Sequence, residues 1–135
     1  MEFITAEQFL KEDKDVQEVI NNSIKLNIGD RVYHKLSKKY YIYLGEYNEG
    51  FWNVFDLEDK CTSVICKDYF CRCLHEGQLR KFIEDKTGAK YIELEHYLKT
   101  GYDIYIENML FEDLGNDLLQ AYWKVAVQIA KEIKF

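Results

Sequence analysis

The sequence predicts an α+β fold: N-terminal helices, an antiparallel β-meander curling toward an SH3-like partial barrel, a short helix, a β-hairpin and a long C-terminal helix. Three observations carry that prediction. The hydrophobic period changes from helical to two-residue near Ile28, turn residues then recur about every ten positions, and helical spacing returns after Gly115.

The elements follow in order. Thr5 with Gln8 makes a capping box that opens a short helix over 6–11. A second helix over 13–22 places Val16, Val19, Ile20 and the following Ile24 on one face, and Asn21-Asn22-Ser23 ends it. Strands are expected at 28–33, 40–46, 51–57 and 62–68, separated by Ser37-Lys38-Lys39, Asn48-Glu49-Gly50 and Glu58-Asp59-Lys60. Residues 69–74 continue as strand or loop. A helix over 76–86 then turns Leu79, Phe82 and Ile83 inward and ends at Gly88.

Residues 91–98 and 102–108 alternate apolar and polar around Lys99-Thr100-Gly101, which reads as a hairpin with a three-residue loop. That loop sets Leu98 opposite Tyr102, His96 opposite Ile104 and Leu94 opposite Ile106 on the inner face. Outside, it pairs Tyr97 with Asp103, Glu95 with Tyr105 and Glu93 with Glu107, the last a mildly destabilising pair of like charges. The final helix runs from an N-cap at Asn116 to Lys134. Its apolar arc, widened by Leu119, Trp123, Ala126, Val127 and Ala130, exceeds the roughly 100° stripe of a half-buried surface helix. It is therefore sandwiched within its own fold, the favoured reading, or it forms a homodimer seam through 116–134.

Composition bounds the function classes. At 135 residues, 47% apolar and 31% charged, the chain is expected to form one domain, 1–135, with a core large enough to need neither disulfide nor metal. There is no Pro, hence no Pro-rich linker or recognition segment. The N-terminal stretch lacks the basic and apolar regions of a signal peptide, and no apolar run reaches membrane length, so a cytoplasmic protein is expected. The net charge is −6, and residues 92–117 alone hold seven acids against Lys99. That balance argues against a general nucleic-acid binder.

Candidate sites were weighed on residue type and spacing. Cys61, Cys66, Cys71 and Cys73 match no zinc-finger or ribbon spacing, so buried reduced thiols are expected and no metal. In a strand, Cys71, Cys73 and His75 would point to one face, a geometry a metal site could use, but the spacing weighs against it. Around His34, His75 and His96 no nucleophile motif occurs, and no Gly-rich phosphate loop exists, so no catalytic residue, cofactor or enzymatic activity is predicted. The segment 31–43 interleaves bases and aromatics, as single-strand nucleic-acid platforms do. One side of it would offer Arg31, Lys38 or Lys39, Tyr41 and Tyr43, together with a pocket for a nucleotide ligand. This is the alternative reading. The leading candidate is the acidic outer hairpin face with its continuation: Glu93, Glu95, Tyr97, Asp103, Tyr105, Glu107, Glu112 and Asp113. Tyr among carboxylates adds apolar area at low entropy cost and suits protein binding.

Residues 9–17 (FLKEDKDVQ) followed by Ile28-Gly29-Asp30, together with 76–83 (EGQLRKFI) and 118–126 (LLQAYWKVA), resemble small phage and prophage accessory proteins of AT-rich Gram-positive bacteria. Lys outnumbering Arg by 15 to 3 fits the same origin. The resemblance brings no catalytic residues. It implies a host-cell cytoplasmic accessory role, such as stoichiometric inhibition of a host defence or nucleic-acid-handling protein with a basic surface.

Overall fold

The computed structural model describes residues 2–132. The chain begins with α1 (Ala6–Leu10) and α2 (Lys14–Ser23). Strands β1 (Arg31–His34), β2 (Lys39–Asn48), β3 (Phe51–Asp56) and β4 (Cys61–Cys66) come next, then a 3-10 turn (Lys67–Tyr69) and β5 (Phe70–Arg72). The chain continues with α3 (Glu76–Thr87), β6 (Ile92–Tyr97), β7 (Gly101–Ile106), β8 (Met109–Phe111) and α4 (Leu118–Glu132). Its contacts divide into two units, one of residues 5–11 and 25–73, the other of residues 2–4, 12–24 and 74–132.

The first unit is an antiparallel sheet in the order β4-β3-β2-β1-β5. Its core gathers Val32, Tyr41, Tyr43, Trp52, Val54 and Phe70. Trp52 on β3 stacks on Phe70 of β5 with centroids 5.5 Å apart. Those strands are three places apart in the sheet, about 14 Å if it were flat, so the sheet curls to bring the rings together. Register shifts in β2 between Tyr43 and Gly45 and between Glu46 and Asn48 supply the bend. No ladder joins β4 to β5 among the described residues, and the sheet stays open.

Two side chains fasten its turns. Asp56, almost fully buried, accepts the backbone N–H groups of Glu58 and Asp59 at 2.9 and 3.1 Å. His34 Nδ1 accepts the Ser37 N–H at 2.9 Å. The thiols of Cys71 and Cys73 are buried, and burial pushes them up to about 11 and about 12, as expected of inert thiols. Cys61, in contrast, is exposed and Cys66 half-buried at the two ends of β4. The alignment of His75 with the cysteines does not arise, because β5 stops at Arg72.

The second unit is built on α4, which packs against α2, α3 and β7. The width of its apolar arc is explained there: Leu119, Tyr122, Trp123, Val125, Ala126, Val127, Ile129 and Ala130 are all buried, with Lys124 and Gln128 left outside. Asp117 rather than Asn116 caps the helix, its Oδ1 accepting the Gln120 N–H at 2.9 Å. The expected end at Lys134 lies outside the described residues. His75 and Gln78 form a reciprocal capping box on α3, and Gly88 closes that helix in the left-handed region at φ +64°.

The hairpin departs from the expected register. Tyr97 pairs with Gly101, His96 with Tyr102, Glu95 with Asp103, Leu94 with Ile104, Glu93 with Tyr105 and Ile92 with Ile106. The loop is therefore 98–100, with Gly101 drawn into the strand. A shift of two keeps every residue on its expected face, because side chains alternate with period two. It nevertheless separates Glu93 from Glu107. Glu107 opens the turn into β8, a strand the sequence did not suggest, and its Oε1 accepts the Lys90 N–H at 2.7 Å. Gly101 is held in the strand from its other side: the Tyr102 N–H donates to Gly115 O at 2.7 Å and the Leu114 N–H to Tyr102 O at 2.9 Å. Ile104 and Ile106 are buried as expected, but Leu94 on the edge strand is 40% exposed. His96 is exposed too, its Nε2 lying 3.0 Å from Asn116 Oδ1.

Candidate functional site

Alternation sends Glu93, Glu95 and Tyr97 of β6 to one face of the sheet β6-β7-β8, beside Asp103 and Tyr105 of β7 and Leu110 of β8. Glu95 sits at the centre. Its Oε2 accepts the Tyr97 hydroxyl in a short hydrogen bond and the Tyr105 hydroxyl at 3.3 Å. The bond to Glu95, followed by the carboxylate's charge, pushes the Tyr97 phenol up to about 12. Tyr105 is raised first by desolvation and then by the charge of Glu95, with Glu112 adding to it. Both phenols are neutral at physiological pH, and one carboxylate fixes their direction.

The expected acidic residues separate into three groups. Glu93 and Glu95 are exposed on this face, with Tyr97 47% and Leu110 46% accessible, and Glu112 is exposed just beyond β8, where its charge acts on Tyr105. Asp103 is buried, and its Oδ1 accepts the Asp113 N–H at 3.0 Å, so it ties the 112–115 segment to β7. Asp113 is exposed at a left-handed φ of +55°, and Glu107 holds the Lys90 backbone; both belong to turns. Leu110 escaped the sequence reading because β8 is three residues long and its turn, Glu107-Asn108, lacks the Asn-Gly or Asp-Gly signal. The apolar triplet after that turn was the only clue.

The residues of the alternative reading do not share a face. Tyr41 and Tyr43 are core residues, only 6% and 8% exposed. Arg31 pairs with Ile42 and so lies on the opposite face from them. Lys39 reaches three carboxylates: Asp59 at 3.0 Å, Asp56 at 3.3 Å and Glu58 at 3.8 Å. Hydrogen bonds to Asp59 and Asp56 raise its pKa further. Lys38 is exposed in the turn at φ +56°.

A cavity of about 700 Å³ opens where α3 and α4 begin, lined by Glu2, His75, Glu76, Arg80, Asn116 and Asp117 among others. Two polar atoms of its lining residues, His75 Nδ1 and Asp117 Oδ1, are engaged in capping the two helices. Among the described residues no three His, Cys, Asp or Glu side chains are grouped to hold a metal ion, and no helix is long and apolar enough to cross a membrane. Comparison with protein-family models, curated proteins and solved structures gives no significant match, so the reading of function rests on the residues themselves.

Proposed function

We propose that the protein acts by stoichiometric binding of another protein through the face formed by Glu93, Glu95, Tyr97, Tyr105, Leu110 and Glu112. One observation supports this most directly: two carboxylates share an exposed sheet face with two tyrosines and a leucine, a third, Glu112, follows β8 close enough to act on Tyr105, and none of the three strands contains Lys or Arg. Apolar area interspersed with charge of one sign suits a docking patch that selects its partner by charge. The tyrosines are pre-oriented by Glu95, which lowers the ordering cost of binding. The resemblance to phage accessory proteins supplies the kind of partner: a host defence or nucleic-acid-handling protein with a basic surface. The curled sheet of 31–72 is read here as an SH3-like partial barrel, on its strand order and the 3-10 turn leading into β5.

The test is a pull-down from host lysate comparing wild type with Glu93→Lys, Glu95→Lys and Glu112→Lys combined. A partner retained by the wild type, released by salt and lost from the triple variant supports the reading. Identical capture by both proteins overturns it. Glu107 and Asp103 are left unchanged because both are structural.

A further inference from the structure

The face of the five-stranded sheet opposite the Trp52 core carries a different chemistry. Arg31 and Tyr33 project there from β1, with Tyr40 opposite Tyr33 and Ile42 opposite Arg31 on β2. The Tyr33 and Tyr40 rings lie 4.9 Å apart at 60°, and the Arg31 guanidinium carbon sits 5.9 Å from the Tyr40 centroid. Tyr40 is 42% exposed. Beside Tyr33, between α1 and the β1–β2 turn, a groove of about 630 Å³ is lined by the apolar Ala6, Leu10 and Tyr33 and by Lys11, Lys35, Lys38 and Glu7. Glu7 is occupied by Lys11 at 3.5 Å, while Lys35 and Lys38 make no ion pair among the described residues. Charge divides between the units in the same sense. Residues 5–11 and 25–73 hold nine bases and eight acids, whereas the other unit holds nine bases and sixteen acids. The net charge of −6 therefore does not describe this groove.

We infer that this groove and the Tyr33–Tyr40 pair beside it bind single-stranded nucleic acid, with bases stacking on the tyrosines and phosphates meeting Lys35 and Lys38. The combination of groups selects this ligand. Ammonium groups alone would serve any anion, but the rings next to them, Tyr40 exposed and Tyr33 half-buried, reward a flat π-system carrying phosphates. A duplex keeps its base faces inside the stack and cannot use the rings. An acidic peptide would satisfy the lysines and leave the tyrosines without a stacking partner. Within the segment 31–43, Tyr40 is exposed where the sequence analysis expected Tyr41 and Tyr43, which are buried.

The full chain is titrated into labelled oligothymidylate and oligouridylate, with fluorescence anisotropy as readout. Binding is expected at low salt, with a log–log salt slope of about −1.4 from two lysine contacts at about −0.7 each. Tyr33→Ala, or Tyr40→Ala if the first variant loses its fold, should weaken affinity by about 5- to 150-fold, the usual effect of removing one stacking ring. Lys35→Gln with Lys38→Asn should bring the slope close to zero. Asn accommodates the left-handed backbone of Lys38, and an unchanged melting curve confirms the fold. No binding of either strand at low salt overturns the proposal, as does binding that these variants leave unaltered. Competition by a mononucleotide or by polyglutamate as effective as by the strand also overturns it, in favour of a nucleotide pocket or a peptide groove respectively.

Discussion

A Cβ placed on Gly101 would fall 2.1 Å from the carbonyl carbon and oxygen of Gly115. Gly101 also has φ +85°, so its position is closed to a side chain by both space and backbone conformation. Gly101→Ala is expected to detach the 112–115 segment from β7, together with the Tyr102–Gly115 hydrogen bond. The comparison is Gly88→Ala, where φ is +64° but nothing lies within 4 Å. That change should cost only the left-handed strain of about 1–2 kcal/mol. Gly101→Ala should exceed it by about 1–3 kcal/mol, the usual penalty for overpacking. Urea denaturation of the two variants measures the difference, and equal losses would mean that the Gly101–Gly115 approach relaxes at little cost.

What the sequence made legible is what local chemistry decides. Thr5 with Gln8 and Gly88 mark helix ends through bonds made within a few residues, and both act as expected. The strands of 39–66 were legible from alternation and turn residues. Which face of β2 is the core was not, because Tyr40, Tyr41, Ile42 and Tyr43 make both faces apolar. Only the distant partners Trp52, Val54 and Phe70 settle that choice. The hairpin faces were legible from period two, but the register was not, since the segment around Gly115 pulls Gly101 out of the loop. Asp103 looked like a surface charge for the same reason: its acceptor role depends on the Asp113 N–H, ten residues away.

His34 gives the sheet a pH dependence with a definite sign. Burial lowers its pKa, and its Nδ1 must be unprotonated to accept the Ser37 N–H. A group whose folded pKa is depressed contributes stability above its unfolded value, and that stability is lost as pH falls through the folded one. Melting temperature should therefore drop on going below about pH 6.5, the ordinary imidazole value. His34→Asn keeps an acceptor near Ser37 without titrating and should flatten that part of the profile. Parallel melting curves for the two proteins between about pH 7.5 and about pH 5.5 would remove His34 as the cause.

Trp123 is 5% exposed on a helix held by α2, α3 and β7. Trp123→Ala should cost about 3–5 kcal/mol, the range for truncating a large buried aromatic. Denaturant unfolding gives the loss, and light scattering on the same samples separates core from seam. A core residue lowers stability without changing mass, whereas a residue in a dimer seam through 116–134 would yield a lighter, folded species. An unchanged midpoint with unchanged mass would contradict both.

The last prediction concerns the cluster of Glu95, Tyr97 and Tyr105. With the Tyr97 phenol pushed up to about 12 by its bond to Glu95, a phenolate absorbance titration should show a high-pH ionisation that is lost in Tyr97→Phe. A raised folded pKa contributes stability that is complete below the unfolded phenol value of about 10 and is lost as pH rises toward the folded one. The protein should accordingly weaken between about pH 10 and about pH 12, and Tyr97→Phe should weaken less over that interval. Glu95→Gln removes the charge but keeps an acceptor of similar size, so the phenol should return toward its ordinary range while the strand stays paired. The same substitution bears on binding. If Glu95 pre-orients the rings, Glu95→Gln should reduce partner affinity by more than removal of one rim charge at Glu93, because loosened side chains must be reordered on docking. Equal effects at the two positions would make Glu95 one charge among three, with no role in positioning the tyrosines.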